Sequence, residues 1–226
     1  NKSLHADRFA ACDIIVWPPG RENQMKIIIV GASGRIGREV DNALSGSHDI
    51  IRVGAHSGDV QCDYTVPDSI RDMFEKIGKF DSLISVVGGD SVFKPLADLD
   101  DEDFRFGFER KFLGQIRLLK LGDNFVRDSG SFVLTSGFLS QYPNPYSVAT
   151  GPLNALVDTF VKNTAPLLPR GIRVNVVSPA PIVEPGREGK GLVTAAETAK
   201  LYVEAVENNI TGKVLRTWGG LLVATE

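Results

Sequence analysis

Seven consecutive residues, Gly31-Ala32-Ser33-Gly34-Arg35-Ile36-Gly37, carry the clearest chemistry in the chain. They follow the run Lys26–Val30, which is too short for a helix and rich in isoleucine, as buried parallel strands are. A helix is expected to begin inside the motif. Each glycine then serves a different purpose. Gly31 permits a tight turn, Gly34 lets backbone approach a diphosphate, and Gly37 lets helix and strand pack closely. The helix start adds free N–H groups and a positive partial charge that suits a phosphate. The expected chemistry is binding of a dinucleotide, with Gly31, Ser33, Gly34, Arg35, Ile36 and Gly37 as contacts. The alternative is a tight strand-to-helix turn without a ligand.

Which dinucleotide depends on the end of the second strand. NAD is held there by an Asp or Glu about twenty residues after the glycines. Here the strand runs into Gly54-Ala55-His56-Ser57, and the first carboxylate is Asp59. Arg35 offers a charge to a 2′-phosphate and Ser57 a hydroxyl, with His56 as a further contact. The expected cofactor is NADP, with NAD the less favoured choice.

The composition narrows the remaining classes. The 226 residues are 42% apolar, with 25 basic and 28 acidic side chains and a formal charge of −3. Cys12 and Cys62 are too few for a disulfide scaffold or a zinc knuckle. His5, His48 and His56 lack the spacing of metal ligands, so no metal is expected. No apolar run reaches the ~18 residues of a membrane span. Mild acidity with dispersed Lys and Arg argues against a nucleic-acid partner. A soluble cytoplasmic protein acting on a small molecule is expected.

The elements that must position these residues alternate from Met25 onward, as in a parallel sheet covered on both faces. Strands are expected at 26–30, 50–53, 61–64, 83–87, 131–135, 172–177 and 213–217. Helices are expected at 35–44, 69–77, 102–126, up to 168, and 194–207. The 102–126 helix carries Phe104, Phe108, Phe112, Ile116 and Leu119 on one face. This is one α/β domain, Rossmann-like and doubly wound, with about seven mostly parallel strands over 25–226. Residues 1–24, broken by Pro18-Pro19-Gly20, are expected to be an arm without function, and Met25 fits a native start.

In their order these landmarks resemble the short-chain dehydrogenase/reductase family over 25–226. The Gly-rich turn is similar to that of its extended or divergent members. Asp63 resembles the aspartate that approaches the adenine in that family, and Val86-Val87-Gly88-Gly89 stands where the family has Asn-Asn-Ala-Gly beside the adenosine. Ser136, in Val133-Leu134-Thr135-Ser136-Gly137, resembles the serine of strand five. GIRVNVVSPAPI, residues 171–182, is similar to strand six and its loop, where the Ile182 backbone would face the nicotinamide and Pro179 would be a further cofactor contact. ITGKVLRTWGG, residues 210–220, resembles the last strand and C-terminal turn. The resemblance implies an oxidoreductase that binds NAD(P). It also implies a homodimer or homotetramer paired through the two long helices, around 104–121 and 153–168.

In that family a Tyr passes a proton to the reacting carbonyl oxygen and a Ser holds that oxygen. A Lys four residues after the Tyr lowers its pKa, and an Asn on the long helix completes a relay. By this resemblance PYSVATGPLNAL puts Tyr146 at the tyrosine and Thr150 at the lysine, while RKFLGQ puts Lys111 at the asparagine. A free tyrosine has a pKa of about 10. A cation ~4 Å away, at an effective dielectric of ~20, interacts with its anion by about 4 kcal/mol. Losing the lysine should therefore cripple alcohol oxidation more than carbonyl reduction, where protonated tyrosine is the acid. Lys111 shares a helical stripe with Phe104, Phe108, Gln115 and Leu118, which places it to enter the site as a replacement cation. The alternative is a lysine reaching solvent from the helix edge. Pro152 is tolerated only in a first helical turn; if it opens the helix, Tyr146 lies in the preceding loop and Tyr142 is a rival donor.

The expected function is NADP(H)-dependent reduction of a small carbonyl compound, or oxidation of the alcohol, with Ser136, Tyr146 and Lys111 catalytic. The alternative is a nucleotide-binding sensor or assembly subunit without turnover, which the incomplete Tyr-x-x-x-Lys pattern favours.

Overall fold

The computed structural model describes residues 24–218. All of the expected arm but Gln24, with His5 and Cys12, and the terminal Gly219-Gly220 lie outside the described residues. In chain order the elements are β1 (Lys26–Val30), α1 (Arg35–Leu44), β2 (Asp49–Gly54), β3 (Val60–Gln61), α2 (Pro67–Ile77) and β4 (Phe80–Ser85). Then come α3 (Asp101–Gly107), α4 (Gly114–Gly122), β5 (Val126–Thr135), α5 (Gly151–Thr164) and β6 (Arg173–Pro179). The short pair β7 (Ile182–Val183) and β8 (Val193–Thr194) precedes α6 (Ala195–Glu207) and β9 (Val214–Thr217).

Seven strands form one parallel sheet in the order β3-β2-β1-β4-β5-β6-β9. Both faces of β1 are buried, which explains its unbroken apolar run. Ile27 and Ile29 pack in the layer of Val40, Leu44 and Tyr202, and Ile28 and Val30 in the layer of Phe74, Leu118 and Val157. The chain reverses its direction of winding between β1 and β4, and such a switch point opens a crevice at the carboxyl ends of the strands. Among the described residues no helix is long and apolar enough to cross a membrane.

Three elements depart from the sequence expectation, each beside the crevice. The third strand ends at Gln61 rather than at 64, because Asp63 accepts the N–H of Thr65 at 2.9 Å and its hydroxyl at 2.6 Å and starts a turn. The fourth strand stops at Ser85, and Val86 and Val87 leave the sheet to line the crevice. The expected helix 102–126 is really α3, a π-helical turn at Phe108–Leu113, and α4; Val126 begins β5. A π turn changes the phase of a helix by about 100°. The expected stripe is split accordingly. Phe104 and Phe108 lie at the surface, whereas Lys111, Gln115 and Leu118 are buried.

Candidate active site

At the Gly-rich turn, side chains are missing because backbone fills their space. Gly31 has φ +90°, and a Cβ there would lie 2.3 Å from the Val86 carbonyl oxygen. At Gly37 a Cβ would lie 2.1 Å from the Gly31 carbonyl oxygen. Helix α1 then starts from Gly34 with no side-chain cap and no acidic residue in its first turn. By contrast α3 and α6 cap themselves with Asp100 and Asp103, and with Thr194 and Glu197. The positive end of α1 is left for an anion from outside, and the diphosphate of a dinucleotide fits it. Ser33, Gly34 and Arg35 are exposed on this turn, Ile36 lines the cavity beyond it, and Gly37 is buried.

His56 and Ser57 are exposed in the loop after β2. The next carboxylate, Asp59, already accepts the Arg52 N–H at 2.9 Å, and the Arg52 guanidinium is bonded to Asp41 at 2.7 and 2.8 Å. Asp63 is exposed, and its bonds from Thr65 hold its carboxyl below the usual range.

One cavity of about 440 Å³ runs along the crevice from Ile36 to Lys111 and Ser136. Val86, Val87, Gly88, Gly89 and Pro179 line it on the way. Lys111 enters from the π turn and is only 6% exposed. Gly88, with φ +79°, makes this possible: a Cβ there would lie 2.7 Å from Lys111 Cδ. The Lys111 ammonium donates to the Ser136 carbonyl at 2.9 Å. Gln115 ties the π turn to the end of β5: its amide donates to the carbonyls of Lys111 and Thr135 at 2.7 and 2.9 Å and accepts the Thr135 N–H at 2.8 Å. Burial pulls the Lys111 pKa down to about 8, against an opposing pull from Asp158.

Asp158 and Asn154 are functional candidates that sequence reasoning misses. They stand one turn apart on the buried face of α5. The Ser140 hydroxyl donates to Asp158 at 3.3 Å. Burial raises the Asp158 pKa, while the Ser136 and Ser140 hydroxyls, Arg216 and Lys162 hold it down. Among the described residues, Ser136 Oγ, Asn154 Oδ1 and Asp158 Oδ1 are buried without a hydrogen-bond partner of good geometry, as are Ser85 Oγ and Ser178 Oγ on the neighbouring strands. Three such atoms around one strand end are unusual, because buried polar groups are normally satisfied. A polar pair four residues apart on an otherwise apolar helix face is the signal that could have found them.

The family's two α5 residues are placed differently. Thr150 lines the cavity and donates through its hydroxyl to the Val92 carbonyl at 2.9 Å. Pro152 does open α5, so Tyr146 lies in the loop before it, 54% exposed and outside the cavity lining. The Tyr142 ring packs edge-on against Trp218, with centroids 5.6 Å apart. The Ile182 carbonyl accepts the Arg35 guanidinium at 2.6 Å.

Comparison with known proteins agrees with this architecture. A family model described as Enoyl-(Acyl carrier protein) reductase matches residues 21–214. The solved structure of protein lin1944 from Listeria innocua is 37% identical, covering 86% of this chain and 100% of that one, with a TM-score of 0.81. A small-chain dehydrogenase solved in complex with NADPH is 26% identical over 88% of this chain and 98% of its own, with a TM-score of 0.79. General stress protein 39 of Bacillus subtilis is 25% identical over 133 residues, 57% of this chain. That alignment spans 46% of the length of the curated relative.

Proposed function

Since the chain belongs to the short-chain dehydrogenase/reductase family, we propose that it is an NADP(H)-dependent oxidoreductase that reduces a small carbonyl compound. The observation that carries the reading is the buried Lys111, which lines the same cavity as Ile36 of the Gly-rich turn. The nicotinamide, when bound, supplies the hydride. Lys111 is the proton donor: one N–H is held on the Ser136 carbonyl, and two remain for a substrate oxygen. An acid with a pKa of about 8 is well matched to neutral pH. Ser136 serves twice, anchoring Lys111 through its carbonyl and offering its hydroxyl as a second donor to the same oxygen. Phe93, Phe138 and Leu139 give the substrate end an apolar wall that suits a neutral aldehyde or ketone.

NADP is favoured over NAD because residues 54–58 hold no carboxylate and Asp59 is engaged by Arg52. The NADPH complex of the related small-chain dehydrogenase supports the same choice. The exposed Phe104, Phe108 and Leu156, on the long helical segments that the family resemblance gives as pairing faces, support a homodimer or homotetramer.

The second reading, a nucleotide-binding protein without turnover, is favoured by one observation: no tyrosine lines the cavity among the described residues. NADPH consumption with a panel of aldehydes and ketones separates the two. Turnover of any of them supports the reductase. Tight NADPH binding with no turnover leaves the sensor.

A further inference from the structure

Arg35 stands at the first residue of α1, directly beyond β1. Its guanidinium reaches across the crevice to the Ile182 carbonyl, 147 residues away in sequence and at the start of β7. In the sheet, β2 flanks β1 on one side, while β6, which leads into β7, is three strands away on the other. At ~4.8 Å per strand the arm reaches toward a strand roughly 14 Å from β1. The loop that would meet a 2′-phosphate, with His56 and Ser57, follows β2 in the opposite direction. One guanidinium does not serve both ends.

Charge along the crevice points the same way. Lys111 is the one charged residue in the cavity lining among the described residues, and its ammonium is held on the Ser136 carbonyl. Near β2, Arg52 is committed to Asp41 and Asp59. A diphosphate seated at the start of α1 would meet backbone N–H groups and, at the first helical residue, the guanidinium of Arg35.

We propose that Arg35 is a clasp for the dinucleotide diphosphate, joining the Gly-rich turn to the β6–β7 segment over the bound molecule, and takes no part in reading the 2′-phosphate. The proposal rests on the dinucleotide reading above. It revises the role expected for Arg35 from sequence: the choice between NADP and NAD falls to residues 54–58, and Arg35 strengthens both equally.

Titration of NADPH and NADH by fluorescence, with the wild type and Arg35→Ala in parallel, tests it. Both affinities should fall by the same factor, roughly tenfold or more for a lost charge-assisted hydrogen bond, with the NADPH-to-NADH ratio unchanged. Arg35 is exposed, so the variant is expected to melt like the wild type. A loss confined to NADPH overturns the clasp and makes Arg35 the reader of the 2′-phosphate. Unchanged affinity for both nucleotides also overturns it. A wild type that binds neither overturns the dinucleotide reading itself, and the clasp falls with it. Ser57→Ala gives the converse control: NADPH weakened, NADH unaffected.

Discussion

The Gly31–Gly37 turn and the cluster of Lys111, Ser136 and Asp158 stand at two ends of one crevice and are built in opposite ways. At the turn, side chains are removed so that backbone can fold back on backbone, within 2.3 Å of where a Cβ would sit at Gly31. At the other end a cation and a carboxyl are buried, each 6% exposed, and three polar atoms are left without good partners. The turn is therefore needed by the fold as well as by a ligand. The cluster costs the fold stability, because burying charge and orphaned polar groups is unfavourable. Such a cost is expected where chemistry is done.

The comparison is broken most sharply by substituting one residue at each end. Gly37→Ala should cost about 3 kcal/mol or more through overpacking against Gly31 and Ala32, and abolish nucleotide binding. A melting temperature within a degree or two of the wild type would contradict this. Lys111→Met should leave NADPH affinity unchanged and lower kcat by about 10²- to 10⁴-fold, the usual weight of a general acid. The same change should stabilise the protein near neutral pH. The folded pKa of Lys111, about 8, lies below the unfolded value of about 10.4, so the unfolded chain binds more protons between the two. Wild-type stability from this group is thus lowest below pH 8 and rises through that window. The variant should lose this rise, which melting curves from pH 7 to 10 would detect.

Asp158→Asn sharpens the comparison by a smaller step. The Asp158 charge raises the Lys111 pKa against desolvation. Removing it should lower that pKa further, so the fall in reduction rate expected above about pH 8 should begin at lower pH. A fall of about one pKa unit should cost roughly twofold at pH 7, where the protonated fraction drops from about nine-tenths to about half, and close to tenfold well above pH 8. Asp158→Glu, which keeps the charge, should restore most of the profile. A rate loss with an unmoved profile would make Asp158 a packing residue only.

The turn is legible from sequence because its constraint is local. Three glycines after an isoleucine-rich run admit few alternatives, and the helix start at Arg35 follows from them. The far end depends on contacts between distant segments. Periodicity puts Lys111 in a stripe with Gln115 and Leu118, but nothing in its neighbours announces the π turn that buries all three while leaving Phe104 and Phe108 outside. Gly88 reads in sequence as clearance for an adenosine, whereas in the fold it is the clearance for Lys111. Asp158 escapes notice because a lone acid in a helix is usually solvated, and only packing of α5 on the end of β5 makes it otherwise. The bond of Arg35 to Ile182 is hidden for the same reason: its partner is 147 residues away.

Tyr146 is the smallest test and the most direct one of the division between the two ends. The family resemblance gives it the proton, but its ring is 54% exposed, and its N–H is held on Asn144 Oδ1 at 2.9 Å in the loop before Pro152. If Lys111 is the acid, Tyr146→Phe removes one hydroxyl from a surface loop, and kcat should stay within about twofold, as for most exposed substitutions. A hundredfold loss would mean that the loop turns inward when the crevice is filled. Lys111 would then be the helper that lowers the tyrosine pKa, and its own loss would tilt the rate toward reduction over oxidation. Measuring both directions of the reaction in Tyr146→Phe and Lys111→Met distinguishes these roles. A proton donor slows reduction and oxidation alike, whereas a cation that only eases tyrosine ionisation slows oxidation more.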